Sequence, residues 1–507
     1  MDVGRNLAEG RGLVQSTLGY NQVYLMDADS KIPSPFTIQP PIYPLCIAGL
    51  IKLNIPADQA ALIIPVIAYA ITILLVYHLM LNTFSAQAAL LMSGILLILP
   101  QIKISARVAL ADTLGAMFII LTMTLLLHIS RKMRTDGISK PLYWRIGLAG
   151  ITAGCSFATK YMLLPFAGLG FLFLLVETWH LKSNRNKYWI NAFPILSIYS
   201  MGVLLPVAPV LIHNWLAIGQ LISPTVRSNL PLMTNLIDLL YTLTGVRILL
   251  KPWPGLWLPA SLFGFSGLIF GMAIYVKIAA KMSLRKFFIH DGRYLLTLWM
   301  VGFPTFVVGL RTIVNFDVIG SRFLLPSIYI LIMFLVVMGE QMLRRLSFYQ
   351  TLPTILFTLC VILALISEVQ VLKQPIVSAE SHIQNSQTLS WIRTNTTEDD
   401  LVIGNDFVDI PFYLGRHAAV SYSSFPYTNR MTYDQLMRFY KAHKNQFQRV
   451  YLIVDKPNPK KSLASHLYQF GPFIVDLSNR QIQQYTGIKL VQELANKTVY
   501  QVGLNNY

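Results

Sequence analysis

The chain has 507 residues, of which 54% are hydrophobic and only 13% charged, and its mean hydropathy is +0.52. Soluble domains typically carry about 25% charged residues, so this composition excludes an ordinary soluble protein. The formal net charge of +18 would indicate nucleic-acid binding only on a soluble domain with a basic face, and the sequence predicts no such face. The chain is therefore predicted to be a membrane protein that does not bind nucleic acid.

Ten apolar stretches predict a polytopic α-helical membrane domain over residues 60–369. A helix needs roughly 17–25 residues to cross about 30 Å of hydrocarbon, and most of the stretches reach that length. They are 60–81, 84–100, 113–129, 146–158, 162–178, 191–213, 257–276, 294–310, 322–340 and 351–369. The stretch 146–158 has a rise of only about 20 Å at 1.5 Å per residue. We therefore predict one short hairpin, over 146–178, that places Lys160 below the outer membrane surface.

The basic residues between these stretches predict the orientation of the chain. Counting crossings puts the basic linkers 131–145, 182–187, 277–286 and 344–345 on one side. Short loops rich in lysine and arginine stay in the cytoplasm. The sequence therefore predicts a multi-pass protein of the inner (plasma) membrane, with residues 1–59 as the first extracytoplasmic loop and the C-terminal part on the same outer face.

Residues 370–507 are polar and differ in composition from the rest of the chain. Short apolar runs at 401–403 and 449–455 alternate with helix-like segments such as 386–393, which predicts a small extracytoplasmic α/β domain. No glycine-rich phosphate loop follows the strand near 451–455, so no nucleotide site is predicted. The sequence contains no metal-binding spacing of Cys, His and acidic residues; we predict no cofactor and leave a divalent metal ion open.

Ionisable residues gather at the outer ends of the predicted helices. Lys160 lies in one outer turn, Arg107 and Asp112 in a second segment, and Arg311 and Arg322 in a third. Charge in a bilayer needs an anionic partner or a water-filled cavity, and arginine presents a planar fork suited to phosphate. Each residue also has a simpler explanation, since long cations snorkel to the headgroups and an aspartate can cap a helix. Together they predict a site at the outer membrane surface.

The first outer segment contains a proline-rich stretch over residues 33–44. Proline at this density forbids a continuous helix and favours an extended path. The stretch is either a linker or a rigid loop that lies on the membrane and brings Tyr43 to a substrate.

Several short motifs, taken in order, resemble the polytopic C-type glycosyltransferases that use a polyprenyl-phosphate sugar. The resemblance is greatest to the branch of protein O-mannosyltransferases and lipid A aminoarabinose transferases, so the chain resembles glycosyltransferase family 39. The matching segments are 4–12, Pro-Pro-Ile-Tyr-Pro at 40–44, 107–113, Thr-Lys-Tyr at 159–161, 213–219, Arg-Phe-Leu-Leu-Pro at 322–326, 391–393 and 404–406. Each motif is weak alone, but their order and their placement on one membrane face make the set fairly specific.

The resemblance implies a function and roles for the site residues. A carboxylate deprotonates an acceptor hydroxyl, which attacks the anomeric carbon of a sugar, while cations stabilise the departing polyprenyl phosphate. Lys160, Arg107, Arg322 and Arg311 are then substrate-binding residues, together with Tyr43. The implied partners are a polyprenyl-phosphate-linked sugar donor, membrane lipid, and a glycan, lipid or protein acceptor.

The chain departs from the family pattern at its first residues. The family's catalytic carboxylate precedes the segment that matches residues 4–7, so it would fall before Met1. We therefore expect that the sequence is truncated at its N-terminus or that the base has been lost. Asp2 and Asp112 are the candidate catalytic acids within the chain.

Two other functions remain open from the sequence. A secondary transporter would place charges near the bilayer midplane and show paired repeats, whereas these charges lie at the outer edge. A catalytically impaired homologue would explain the missing first-loop acid.

Overall fold

The computed structural model describes residues 2–18, 34–37, 39–107, 109–180, 188–222, 226–228, 230–244, 254–262, 266, 294–315, 319–343, 351–372, 383–404, 409–420, 432–456, 472–481 and 484–503. The N-terminal half and the membrane part are helical. Their helices are α1 Asp2–Ala8, α2 Ile42–Lys52, α3 Ala57–Thr83, α4 Ala86–Ile98, α5 Pro100–Arg107, α6 Asp112–Thr135, α7 Lys140–Phe157, α8 Leu164–His180, α9 Tyr188–Ile218, α10 Leu232–Leu243, α11 Tyr294–Ile313, α12 Ser321–Leu343 and α13 Leu352–Leu372.

Among the described residues, five helical segments are long and apolar enough to cross a membrane: Ala57–Thr83, Asp112–Thr135, Tyr161–Trp179, Ala192–Ile218 and Tyr294–Ile313. Shorter apolar helices accompany them, including Ala86–Ile98, Arg322–Val337 and Leu352–Leu365. Large apolar side chains such as Leu74, Leu205 and Val301 are exposed on these helices, as expected for surfaces that face lipid. The predicted polytopic α-helical fold is confirmed. Most of the predicted stretch 257–276 lies outside the described residues.

The predicted shortness of the stretch 146–158 is wrong. Helix α7 has 18 residues, begins at Lys140 with a proline in its first turn, and therefore rises about 27 Å. The apolar window missed its first turns because these contain the polar and basic residues Lys140 and Arg145. Helix α4, with 13 residues, is shorter than α7.

Helices α7 and α9 pack against each other with glycine at the closest points. A Cβ added to Gly150 would lie 2.2 Å from the carbonyl oxygen of Tyr199, and one added to Gly154 would lie 2.4 Å from that of Val203. On α9, a Cβ at Gly202 would lie 2.4 Å from the carbonyl oxygen of Gly147. Small residues spaced by four let helix backbones approach in a membrane, so this pair forms a tight unit that ends at the turn carrying Lys160.

The predicted α/β domain is confirmed by a six-stranded sheet. Its C-terminal strands are β6 Leu401–Gly404, β7 His417–Val420, β8 Val450–Asp455, β9 Ile488–Glu493 and β10 Lys497–Val502, and helices Gln387–Asn395, Asp409–Leu414, Tyr433–His443 and Pro472–Ser478 accompany them. Strand β6 runs parallel to β7 and β8, whereas β10 is antiparallel to β8 and β9.

The sixth strand of this sheet comes from the start of the chain. Strands β1 Val14–Gln15 and β2 Thr17–Leu18 follow α1, and β2 pairs in parallel with β7. The order is β2-β7-β6-β8-β10-β9. Two further pairs of short strands are β1 with β3, Ser34–Pro35, and β4, Val226–Arg227, with β5, Val314–Asn315. A boundary at residue 370 therefore does not separate the whole sheet from the N-terminal segment.

Candidate functional site

Asp112 and Lys160 form an ion pair between two helical units. Asp112 is the first residue of α6, and Lys160 lies in the turn after α7, immediately before the 3-10 turn Tyr161–Leu163. The Lys160 ammonium donates to Asp112 Oδ1, and their side chains are only 20% and 7% exposed. Removing one member would leave a largely buried charge unpaired, which is costly. The predicted proximity of these two groups is thus present in the structure.

Arg322 joins the same group through the ring of Phe323. The Lys160 Nζ lies 4.4 Å from the centroid of this ring, and the Arg322 Cζ lies 4.7 Å from it. Both distances are within the range of a cation–π contact. The second residue of α12 therefore places its guanidinium against the same ring as the ammonium that follows α7, so two of the predicted phosphate ligands contact one side chain.

Arg107 lies at the end of α5, close in sequence to Asp112. The Thr113 hydroxyl donates to the carbonyl oxygen of Ser105 at 3.0 Å, which joins the end of α5 to the start of α6. Arg107 itself is exposed. This position remains compatible with the predicted binding role.

A hydrogen-bond network fixes the turn that carries Lys160. The Asn214 amide donates to the Tyr161 hydroxyl at 2.9 Å, and that hydroxyl donates to the carbonyl oxygen of Thr37 at 3.0 Å. His213 Nε2 lies 3.2 Å from the carbonyl oxygen of Phe36. Two motifs that are far apart in sequence, at 159–161 and 213–215, therefore meet and together hold residues 36–37 against the turn that carries Lys160.

Tyr43 lies in a helix and not in an extended loop. Helix α2 begins at Ile42, so the last three residues of the predicted extended stretch are helical. Pro44 fits because a proline is tolerated in a first helical turn. Tyr43 is 5% exposed and its hydroxyl donates to the carbonyl oxygen of Ala61 at 2.7 Å. These contacts give Tyr43 a packing role between α2 and α3.

Arg311 has a different environment from Lys160 and Arg322. It lies near the end of α11, is 4% exposed, and donates to Asp238 of α10. Asn235 on the same helix donates to the Thr312 hydroxyl at 3.0 Å. Arg311 therefore joins α10 to α11, and the structure gives a packing explanation for a residue predicted to bind substrate.

Asp2 is bound to the N-terminal segment by both carboxylate oxygens. The Ser16 backbone N–H donates to Asp2 Oδ2 at 2.6 Å, and the Ser16 hydroxyl donates to Oδ1 at 2.9 Å. Burial lowers the pKa of nearby His417 on β7, and the Asp2 carboxylate opposes that shift. Asp2 therefore stabilises the segment in which the first residues meet the C-terminal sheet, whereas Asp112 pairs with Lys160.

Sequence reasoning missed Phe323, Asp238 and Thr37. Phe323 directly follows a predicted ligand, but its sequence position does not reveal which cations its ring contacts. Asp238 lies in a helix that the ten apolar stretches do not include, and Thr37 contributes a backbone oxygen. Among the described residues, no group of three or more His, Cys, Asp or Glu side chains is placed to hold a metal ion.

Residues 38–215 match the sequence model of the family described as dolichyl-phosphate-mannose-protein mannosyltransferase. The predicted resemblance is confirmed over this range, which includes Asp112, Lys160 and Asn214 but not Arg322. A search of curated protein sequences finds no match.

Solved structures share the fold over nearly the whole chain. ArnT from Cupriavidus metallidurans in the apo state is 12% identical, with a TM-score of 0.52 over 99% of this chain and 92% of that one. The same protein bound to undecaprenyl phosphate gives the same values. The oligosaccharyltransferase AglB from Archaeoglobus fulgidus, in complex with an inhibitory peptide and a dolichol-phosphate, is 12% identical, with a TM-score of 0.50 over 100% of this chain and 70% of that one.

Residues 38–215 thus match the family model, and nearly the whole chain shares the fold of these solved structures. The predictions of an integral membrane protein, of an enzyme and of a glycosyltransferase are confirmed at this level. The roles of individual site residues stay predictions.

Proposed function

We propose that this chain transfers a sugar from a polyprenyl-phosphate donor to an acceptor hydroxyl at the extracytoplasmic face of the inner membrane. The observation that carries the proposal is the cluster of Asp112, Lys160 and Arg322 around the Phe323 ring. It combines one carboxylate with two cations, which are the groups that an acid–base displacement on an anionic leaving group requires.

The chemistry follows from the charges of these side chains. The acceptor oxygen forms a bond to the anomeric carbon as the bond from that carbon to the phosphate oxygen breaks, and the configuration inverts. Negative charge grows on the departing polyprenyl phosphate, where Lys160 and Arg322 stabilise it. The proton of the acceptor hydroxyl passes to a carboxylate, for which Asp112 is our candidate.

Asp112 has two roles in this scheme. With no donor bound, it neutralises the Lys160 ammonium, because a partly buried lysine needs an anionic partner. An arriving phosphate competes for that ammonium and releases the carboxylate, which can then accept the proton of the acceptor hydroxyl. The ion pair thus couples donor binding to the activation of the base.

The outer location rests on the direction of α6. This helix has 24 residues and begins at Asp112, so it rises about 36 Å before it ends in Lys132 and Arg134. The site therefore lies at the opposite end of a membrane-length helix from the basic linker 131–145, which we assign to the cytoplasm. A lipid-linked donor fits such a site because its chain can stay in the bilayer. The acceptor is a glycan, a lipid or a protein.

The test is a transfer assay with purified protein in lipid nanodiscs and a panel of polyprenyl-phosphate monosaccharides carrying a radiolabel. We expect Lys160→Ala to lower the transfer rate by about 10²-fold or more, the scale for removing one preorganised anion donor. Lys140→Ala is the matched control, since Lys140 is an exposed lysine at the other end of α7. Thermal unfolding reports whether each variant is folded. An unchanged rate in folded Lys160→Ala would contradict the proposed site.

Two acidic substitutions in the same assay separate the candidate bases. Asp112→Asn removes the acid beside the cations, and we expect transfer to fall at least as far as in Lys160→Ala. Asp2→Asn should keep most of the rate, because both oxygens of Asp2 are engaged by Ser16. Donor binding without any transfer by the unsubstituted protein would favour the catalytically impaired homologue, and movement of the donor across the bilayer would favour a transporter.

A further inference from the structure

We infer that Phe323 is a positioning residue whose ring holds both the Lys160 ammonium and the Arg322 guanidinium in place for the donor phosphate. This inference rests on the proposed function and adds to it a residue that carries no charge. The juxtaposition is a single ring with the Lys160 Nζ at 4.4 Å and the Arg322 Cζ at 4.7 Å from its centroid.

The two cations come from different parts of the fold. Lys160 follows α7, and Arg322 is the second residue of α12. Two like charges near each other repel, and the Asp112 carboxylate offsets the charge of Lys160. An attraction of both cations to one shared group would hold them in place before an anion arrives.

The ring of Phe323 supplies that attraction. The face of an aromatic ring carries negative potential and attracts ammonium and guanidinium groups, more strongly when water is excluded. Phe323 is only 8% exposed, so its contacts with the cations are poorly screened by water. An aliphatic side chain of similar size, such as the leucines that follow at 324 and 325, would fill the same space without attracting a cation.

The consequence for binding is preorganisation. If both cations are already held against the ring, a phosphate group does not have to order their side chains when it binds, and its affinity is higher. Phe323 touches the cations and acts through them. Weakening the negative potential of the ring at constant size should therefore lower the affinity for a polyprenyl phosphate and leave the fold unchanged.

The experiment replaces Phe323 by phenylalanines with one, two or three ring fluorines, introduced by nonsense suppression into the full chain. Each fluorine weakens the ring's attraction for cations with little change in volume. Binding of geranylgeranyl phosphate in nanodiscs is measured by isothermal titration. We expect the Kd to rise stepwise, by about fivefold to thirtyfold over the series, which corresponds to the strength of a partly desolvated cation–π contact.

Matched controls isolate the ring's electrostatics. Phe303 on α11 receives the same fluorines; its ring is buried and lies 4.3 Å from that of Phe166, so we expect the Kd to be unchanged. Geranylgeraniol, which lacks the phosphate, should bind independently of fluorination at Phe323. Phe323→Tyr should leave the Kd for geranylgeranyl phosphate unchanged. Phe323→Leu should raise that Kd as much as the trifluorinated ring does.

The outcomes distinguish this inference from the proposed function. A stepwise rise in Kd at position 323 alone supports the positioning role. A constant Kd along the series, while Lys160→Ala weakens binding, would make Phe323 a packing residue and leave the proposed site intact. If Lys160→Ala also leaves the Kd unchanged, the phosphate site itself is wrong.

Discussion

The ion pair of Lys160 with Asp112 and that of Arg311 with Asp238 differ in their burial. Lys160 in the pair with Asp112 is 20% exposed, whereas the Arg311 and Asp238 side chains are 5% and 9% exposed. A ligand can reach the first pair and exchange with one of its members. The second pair is enclosed by α10 and α11, where its main effect is on the stability of the bundle.

The buried pair gives a prediction about stability. Asp238→Leu leaves the Arg311 guanidinium buried without its carboxylate, and we expect the free energy of unfolding to fall by about 3–5 kcal/mol. The double variant Asp238→Leu with Arg311→Met removes both charges and should recover most of that loss. Reversible denaturation in detergent measures the free energy of unfolding of all three proteins.

The control for this prediction is an exposed ion pair. Asp136→Ala removes the partner of Lys132 at the surface, where both side chains are about half exposed, and should leave the midpoint of unfolding unchanged. If Asp238→Leu also leaves the midpoint of unfolding unchanged, the pair does not stabilise the fold. Arg311 would then again be a candidate substrate ligand.

The residue types at the site could be predicted from the sequence, but their partners could not. Lys160, Asp112 and Arg322 stand out because lipid tolerates few charges. Their convergence depends on side-chain geometry, which only the folded helices determine. Tyr43 and Asp2 illustrate the opposite case: both are candidate site residues in the sequence, but in the structure the hydrogen bonds to Ala61 and from Ser16 occupy their polar groups.

At the scale of elements, the contact between α7 and α9 positions the turn that carries Lys160. Gly150 and Gly154 form a Gly-x-x-x-Gly pair on α7 that faces the backbone of α9. The last residues of α9, including Asn214, then hold Tyr161 through its hydroxyl. Tyr161, the residue next to Lys160, is thus held by the turn that follows α7 and by the end of α9.

Apolar windows predicted the centres of these helices correctly and their ends poorly. The first turns of α7 contain polar and basic residues, which a hydrophobic window excludes. The helix predicted from that window is therefore too short. The glycine contacts between α7 and α9 could not be predicted either, because the sequence does not show which helix a glycine faces.

Helix packing yields a prediction that links stability to donor binding. A methyl group at Gly154 would lie 2.4 Å from the Val203 carbonyl oxygen and 2.5 Å from Pro206 Cγ, so Gly154→Ala must push α7 and α9 apart. We expect a lower midpoint of thermal unfolding and, because Lys160 follows α7 directly, a Kd for geranylgeranyl phosphate several-fold higher.

Gly168 on α8 provides the matched control. A methyl group there meets no atom within 4 Å, and alanine is the better helix former. Gly168→Ala should therefore keep or raise the midpoint and leave the Kd unchanged. Equal behaviour of the two variants would mean that the α7–α9 contact can relax at no cost to the site.

At the scale of the whole molecule, the first residues and the last domain form one structure. Strand β2 completes the C-terminal sheet beside β7, and Arg5 donates to the carbonyl oxygen of Pro411 at 3.3 Å. Helix α1 also packs on α2, where Gly4 leaves no room for a side chain because a Cβ would lie 2.6 Å from Ile47 Cγ2. The N-terminal segment therefore connects the sheet to the membrane helices.

Strands β2 and β7 belong to one sheet, so they lie on the same side of the membrane. The chain between them must therefore cross the membrane an even number of times. The ten apolar stretches predicted from the sequence satisfy that requirement, whereas the pairing of β2 with β7 was not predicted. A strand of two residues has too little pattern to be recognised, and its partner lies 400 residues further along the chain.

The last prediction tests orientation with single cysteines in a background where Cys46, Cys155 and Cys360 are replaced by alanine. Glu9, Lys441 and Asp136 are exposed positions in the N-terminal segment, in the C-terminal domain and between α6 and α7. Because β2 belongs to the C-terminal sheet, the first two must lie on one face. The basic linkers place the third on the other. A membrane-impermeant maleimide applied to intact cells should label Glu9→Cys and Lys441→Cys but not Asp136→Cys, and disruption of the membrane should expose all three. Labelling of Asp136→Cys alone would reverse the orientation and put the proposed site in the cytoplasm, whereas opposite results for Glu9→Cys and Lys441→Cys would contradict the shared sheet.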